Sequence, residues 1–411
     1  MKNYLFFLIL GFLLFSECTP ENVTPGDDTN LITFDCENSD GCVLVDANNM
    51  FGFNIFKALH DENPDENIFI SPLSISTALT MTQNGADGNT KTQMQEVLQT
   101  QGLDIQAVNE AYKYLLTTLP DLDPSVQLDL ANSIWYHQDY PVYPEFLEVN
   151  ATYFNSEVVD ADFRNPATVD LINTWVSDNT HGKIPTVLSE IPDAAIMYLI
   201  NAIYFKGDWQ YTFDEEQTYE TNFYRPAGDP VPVDMMGWEG TTALSYFEND
   251  LFQAVDLPYG DGTFSMTLML PKNDIGIGGI VPLLNQENWD SWISAFASQE
   301  MIYKMPKFKL DYKNELKDIL YALGMEDLFT ERADLSKLGP GGLVVSKVLH
   351  KSFLEIDEQG TEAAAVTVIG IETTSTEPSK PYMILDRPFL LFIRDNVTNS
   401  VLFMGQIQDP S

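Results

Sequence analysis

His60, His137, His181 and His350 are the four imidazoles this chain has for acid–base work. A serine- or cysteine-type hydrolase needs a nucleophile, a base within hydrogen-bond reach of it and an acid that orients the base. None of the four stands in a recognisable catalytic motif, and His181, within Thr180-His181-Gly182-Lys183, has the setting of an exposed turn. A metal site needs three or four convergent His, Cys or carboxylate ligands, and neither HExxH nor CxxC spacing occurs. Gly276-Ile277-Gly278-Gly279 and Gly339-Pro340-Gly341-Gly342 lack the Gly-Lys-Ser/Thr ending that cradles phosphate and metal, so both read as turns. These observations argue against an enzyme and call for no cofactor and no metal.

The segment 358–375 carries a different kind of chemistry. Every second residue, Thr361, Ala363, Ala365, Thr367, Ile369, Ile371 and Thr373, is small or apolar and none is charged, while Glu362 and Glu372 fall on the opposite parity. Period two is the signature of a strand with one buried face. Gly360, just before the run, is free to adopt backbone angles closed to other residues, and the Thr/Ser patch at its end suits an exposed loop. On its own the pattern also fits an ordinary half-buried strand.

Around this segment the chain alternates amphipathic helical patterns with short runs rich in β-branched and aromatic residues. Helices are expected near 47–60, 71–84 (ended by Gly85), 166–180, 279–298 and 314–323, the last closed by Gly324. Strands are expected at 126–135, 197–204, 264–270 (stopped by Pro271) and across 389–404. The class is α+β, without internal repeats. No Pro/Ser/Gly linker breaks the 411-residue chain after residue 45, so 45–411 reads as one large domain. A formal charge of −40, from 61 acidic and 21 basic side chains, repels nucleic acid and anionic glycans.

The amino-terminal end reads as an address. Residues 4–15 are apolar, too short to span a bilayer as a mature helix, and fit a secretory signal over 1–17. Cys18 follows directly and resembles the lipidation site of bacterial lipoproteins, although Phe15 and Glu17 depart from the usual residues there; a plain cleaved signal is the other reading. Residues 18–44 read as a polar, acidic tether. Cys36 and Cys42 within it can pair in an oxidising compartment, or all three cysteines can be free thiols.

Several segments, in order, resemble one family. They are Asn67-Ile68-Phe69-Ile70-Ser71-Pro72-Leu73-Ser74-Ile75, Thr180-His181-Gly182-Lys183-Ile184, Asn201-Ala202-Ile203-Tyr204-Phe205-Lys206-Gly207-Asp208-Trp209, Leu257-Pro258-Tyr259 and Met305-Pro306-Lys307-Phe308, followed by the run Glu358 to Ala365 and Pro388-Phe389. They resemble the serpins, inhibitors of serine proteases, over roughly residues 45 to 411. The resemblance implies three β-sheets, a layer of about eight to nine helices and an exposed mobile reactive-centre loop at about 358–387. It also implies irreversible inhibition of extracellular serine proteases, with cysteine proteases as a further target class: the target cuts the loop, is held as an acyl-enzyme, and residues 361–374 insert into the central sheet.

By the same resemblance Glu358, Gly360, Thr361, Glu362, Ala363, Ala364 and Ala365 form the hinge. Ser71, Ser74, Asn201 and His350 form a hydrogen-bond cluster that gates sheet opening. Trp209 and Lys307 lie where the loop first enters, with Lys307 and Glu358 as a modestly exposed ion pair. Counting along the loop places the cut between Thr374 and Ser375, with Ile371, Glu372 and Thr373 as alternatives, because the far side of the loop is about three residues longer than the family pattern. Thr374 suits an elastase-like protease that takes small or β-branched side chains. No basic helix for heparin-type activation is seen. The expected protein is a monomer, lipid-anchored to the bacterial envelope or otherwise extracellular or periplasmic. The alternative is a non-inhibitory serpin-fold surface binding protein, which bulky or charged hinge residues would favour.

Overall fold

The computed structural model describes residues 40–238, 240–361 and 380–411. In chain order they form helix α1 (Asp40–Glu62), strand β1 (Ile68–Ile70), α2 (Pro72–Gln83), α3 (Gly88–Val97), α4 (Ile105–Thr118), β2 (Val126–His137), α5 (Pro144–Phe154), β3 (Glu157–Ala161), α6 (Ala167–Asn179) and β4 (Met197–Asp208). Next come β5 (Tyr219–Phe223), β6 (Val231–Gly237), β7 (Thr242–Glu248), β8 (Phe252–Tyr259), β9 (Phe264–Pro271), α7 (Gln286–Ser294), β10 (Ala297–Pro306) and β11 (Phe308–Glu315). The chain closes with α8 (Lys317–Leu323), β12 (Leu349–Ile356), β13 (Gly360–Thr361), β14 (Tyr382–Ile384), β15 (Phe389–Asp395) and β16 (Val401–Ile407).

One extended sheet runs β1-β16-β15-β9-β8-β7-β10-β6-β5, with β14 added parallel to β10. Besides β14, β10 serves two antiparallel neighbours: its first half pairs with β7 and its last residues with β6, so the sheet passes from one layer to another along this strand. The central sheet is β13-β4-β2-β3, beside the two-stranded β11-β12. Three sheets and eight α-helices among the described residues match the α+β class read from the sequence.

β4 separates the two hydrophobic cores by side-chain parity. Leu199, Ile203 and Phe205 pack into the large core with Phe69, Phe264 and Phe403, whereas Tyr198 and Ile200 join a smaller core under α6 with Trp135, Ile172 and Val176. A strand covered on both faces loses the simple in–out alternation of polarity, and β4 is apolar from Met197 to Phe205 except at Asn201.

Local sequence accounts for many of the ends. Ser71 caps α2, its Oγ accepting the Ser74 N–H at 3.2 Å, and Pro72 takes the first helical position, where no N–H is needed. Two helical expectations are corrected. Residues 279–298 hold short 3₁₀ turns at Ile277–Gly279 and Val281–Leu283, then α7, because Pro282 interrupts the first part and Asn285 starts a fresh helix by accepting the Asn288 N–H. Ala297 and Ser298 belong instead to β10, opposite Tyr246 and Ser245. Asn314 and Glu315 likewise end β11, opposite His350 and Leu349. At the other end, α1 starts inside the stretch read as a tether, and Leu44 is already in the core. Among the described residues no helix is long and apolar enough to cross a membrane.

Candidate functional site

Beyond β12 the chain makes a tight turn and comes back as a strand. Asp357 Oδ1 accepts the N–H groups of Gln359 at 2.9 Å and Gly360 at 3.2 Å, which closes the turn. Gly360 and Thr361 then pair antiparallel with Asp208 and Gly207 of β4. The Trp209 N–H donates to Gln359 O at 2.7 Å, and the Phe213 N–H to Glu358 O at 2.8 Å, so four successive loop residues are tied to the end of β4 and the segment running on to Phe213. Glycine is needed at 360 for a reason the sequence did not disclose. A Cβ there would stand 2.2 Å from Gly207 O and 2.7 Å from Asp208 Cα, so the close approach to β4 matters as much as the backbone angle.

An aromatic stack supports this corner. The Trp209 indole lies flat against Tyr259, centroids 4.5 Å apart, and its Nε1 donates to Asp357 O at 3.0 Å. The Tyr259 hydroxyl and Thr361 Oγ1 are 2.7 Å apart, both buried. Tyr259 is a site residue that sequence reasoning passed over. It stands in the Leu257-Pro258-Tyr259 motif, but nothing local links it to a residue 102 positions away.

The Lys307–Glu358 pair differs from the expected exposed bridge. Glu358 is 4 % exposed; its Oε2 meets Lys307 Nζ at 2.7 Å and its Oε1 accepts the Thr218 hydroxyl at 2.7 Å. Burial raises the Glu358 pKa, but the bonds from Lys307, Thr218 and the backbone outweigh it and leave the carboxyl below its ordinary range. A depressed carboxylate stabilises the fold above its ordinary pKa, and that contribution is lost as pH falls through the lowered value. Lys307 keeps about a third of its side chain in water, so screening limits the pair to about 1 kcal/mol. Glu358→Gln is therefore expected to lower thermal stability by about that amount at neutral pH. In paired melting curves the difference from the parent protein should narrow as pH falls below the ordinary carboxylate value and through the lowered one.

The four residues expected to gate the sheet do not all meet. The Ser71 N–H donates to His350 Nε2 at 3.2 Å, and Ser71 also caps α2 through Ser74, so these three form one cluster joining β12 to the start of α2. Asn201 is not part of it: its Nδ2 donates to Asn132 Oδ1 on β2 at 2.8 Å, because the register of β2 and β4 sets the two amides side by side. Asn201 Oδ1 has no partner among the described residues. Ser352, which the sequence reading missed, donates to Phe69 O and ties β12 to β1. His350 is wholly buried, and burial lowers its pKa to about 4, so it accepts as a neutral ring.

A cleft runs between β4 and β12. It is lined by Ile203 and Phe205, by Phe353 and Glu355, and by Thr361 at one end, and the turn after α6 lies across it through Thr180, Lys183 and Ile184. That turn is held on both flanks. Lys183 Nζ meets Glu355 Oε2 of β12 at 3.1 Å, and His181 Nε2 meets Asp129 Oδ2 of β2 at 2.7 Å. The remaining sequence-read positions, Cys18 and Cys36, hinge residues Glu362, Ala363, Ala364 and Ala365, and cleavage candidates Ile371, Glu372, Thr373, Thr374 and Ser375, lie outside the described residues. Cys42 falls in α1, with nothing described of its side chain.

Comparison with known proteins agrees with this architecture. Residues 46–410 match the family model described as serpin, serine protease inhibitor. Iripin-8 of Ixodes ricinus is 37 % identical over 379 residues, covering 89 % of this chain and 93 % of the relative. The leukocyte elastase inhibitor of Sus scrofa is 34 % identical over 378 residues, covering 89 % and 99 %. Among solved structures, human thyroxine-binding globulin superposes with a TM-score of 0.82 at 27 % identity, covering 91 % of this chain and all of the other, so the same framework also serves a member named for a ligand. With the sheets, the hinge turn and the family match all in agreement, the chain belongs to the serpin family.

Proposed function

We propose that this serpin is a suicide inhibitor of extracellular proteases, acting by cleavage of the loop, trapping of the acyl-enzyme and insertion of residues 361–374 beside β4. The observation that carries the reading is the seat of Thr361. It is already paired with Gly207, inward and 3 % exposed, at the head of a segment whose inward positions are all uncharged.

Carrying that register along β4 sets Ala363, Ala365, Thr367, Ile369 and Ile371 opposite Phe205, Ile203, Asn201, Leu199 and Met197. Residues opposite one another in an antiparallel pair share a face. Of these partners Leu199, Ile203 and Phe205 pack into the large core. The charged Glu362 and Glu372 then fall on the α6 side. Thr367 comes opposite Asn201, where it offers a hydroxyl to the amide oxygen that lacks a partner. At about 3.3 Å per residue, the fourteen residues from Thr361 to Thr374 span about 46 Å, enough to carry a bound protease the length of the sheet. New backbone pairing and apolar burial drive the step, and the protease supplies the chemistry.

The cut falls between Thr374 and Ser375, and the target is elastase-like, a specificity that the name of the porcine relative supports. Cys18 carries a lipid anchor after removal of residues 1–17, Cys36 and Cys42 form a disulfide, and the domain acts as a monomer at or outside the envelope.

The test is to mix the protein lacking residues 1–18 with an elastase-like serine protease and track the reaction on a denaturing gel with intact-mass analysis. The expected result is a band at the summed mass with release of a carboxy-terminal fragment that begins at Ser375. Clean cleavage without a complex across several proteases would overturn inhibition in favour of the binding-protein alternative.

A further inference from the structure

Packing in the core fixes the position of the Tyr259 hydroxyl. Tyr259 is fully buried at the end of β8, and its ring is held by Trp209 stacked at 4.5 Å and by the edge-on Phe205 ring at 5.1 Å. Gly207 makes room for it, since a Cβ at that position would stand 2.9 Å from the ring. The pairing of Tyr259 with Phe264 and the bridge to Trp209 fix its backbone as well. A ring packed this tightly does not turn to suit a partner, so the group arriving opposite its hydroxyl must suit the ring. Burial raises the Tyr259 pKa well above that of an ordinary phenol, so the hydroxyl keeps its proton and can donate. Its partner is Thr361 Oγ1 at 2.7 Å.

We propose that Tyr259 is a positioning residue that seats Thr361 in the central sheet of the uncleaved chain, and that it selects a hydroxyl at residue 361 rather than merely a small side chain. The proposal rests on the insertion reading and sharpens it. Parity and size alone permit valine at 361, which has nearly the shape of threonine. The Tyr259 hydroxyl does not, because valine leaves a buried phenol without its partner.

The chemistry of the pair gives a specific pattern. Removing one member of a buried hydrogen bond leaves the other unsatisfied, whereas removing both restores an apolar match. Thr361→Val and Tyr259→Phe should therefore each loosen the hinge, and the double variant should recover. Thr361→Ser keeps the hydroxyl and should behave as the parent chain does.

The experiment uses the full uncleaved chain and reads amide hydrogen exchange over residues 357–361. Each single variant is expected to exchange about fivefold faster there, the equivalent of one net hydrogen bond, with most of the loss regained in the double variant. The fraction of loops cut without trapping an elastase-like protease should rank the variants in the same order. Strictly additive effects on exchange, or Thr361→Val indistinguishable from Thr361→Ser, would overturn the seat. The two readings fail separately. If the parent chain traps no protease but the exchange effects are non-additive, the seat stands and the inhibitory reading falls. If the parent chain traps protease and the exchange effects add, the seat alone falls.

Discussion

Thr361→Arg is expected to turn the chain from a trap into a substrate: the loop is still cut, and the covalent complex is lost. The reason is burial. Thr361 is 3 % exposed, faces the large core and touches the Tyr259 hydroxyl. A guanidinium in its place would have to leave water for that aromatic corner at a cost of several kcal/mol, or else keep the hinge out of the sheet. In the proposed mechanism insertion begins at this residue, so a barrier raised here delays all later pairing, while hydrolysis of the acyl-enzyme continues at the protease's own rate. Each kcal/mol added to the insertion barrier slows it about fivefold, so a few are enough to reverse the partition. On a denaturing gel the variant should give a cleaved band without the band at summed mass. Complex at the parent yield would sink both the inward placement of residue 361 and the insertion mechanism built on it. Thr361→Ser serves as the control for mere disturbance of the hinge, since it changes neither charge nor hydrogen bonding.

Physical reasons separate the features legible in the sequence from those that only the fold reveals. Elements defined by local rules are legible: α2 announces itself through Ser71-Pro72, and β9 through a run rich in apolar residues ended at Pro271. The alternation over 361–373 needs no partner to be seen, because period two is a property of the segment itself. Strands stabilised by remote pairing are not legible. The first residues of β10, Ala297-Ser298-Gln299-Glu300, are exposed and, after Ala297, polar, and become a strand only because Thr242–Glu248 lies alongside. The site divides in the same way. The hinge residues are contiguous, whereas Thr218 reaches Glu358 across 140 positions and His350 reaches Ser71 across 279. Asn201 shows the reverse error: family resemblance grouped it with His350, but the β2–β4 register gives its amide to Asn132.

Acidification is expected to weaken the fold through His350, and His350→Gln should remove most of that dependence. The folded pKa is about 4 against an ordinary 6.5, because burial disfavours the charged ring. The unfolded chain therefore binds a proton over this range that the folded chain refuses, and stability rises with pH wherever the unfolded state holds more protons. The contribution is complete above pH 6.5 and shrinks as pH falls towards 4, a loss of about 3 kcal/mol at about 1.4 kcal/mol per unit. Geometry gives the same sign. A proton on Nε2 would face the Ser71 N–H that now donates to it, turning a bond between β12 and the α2 start into a clash of donors. Glutamine at 350 can still accept from Ser71 through its amide oxygen, but it has no titration in this window. Denaturant resistance measured at pH 7, 5.5 and 4.5 should fall steeply for the parent chain and much less for the variant; equal slopes would mean that His350 is not the titrating group. Since this bond fastens β12, one wall of the cleft, to the start of α2, the proposed insertion mechanism predicts that the same acid range also speeds loop insertion in the parent chain and leaves the variant's rate nearly flat.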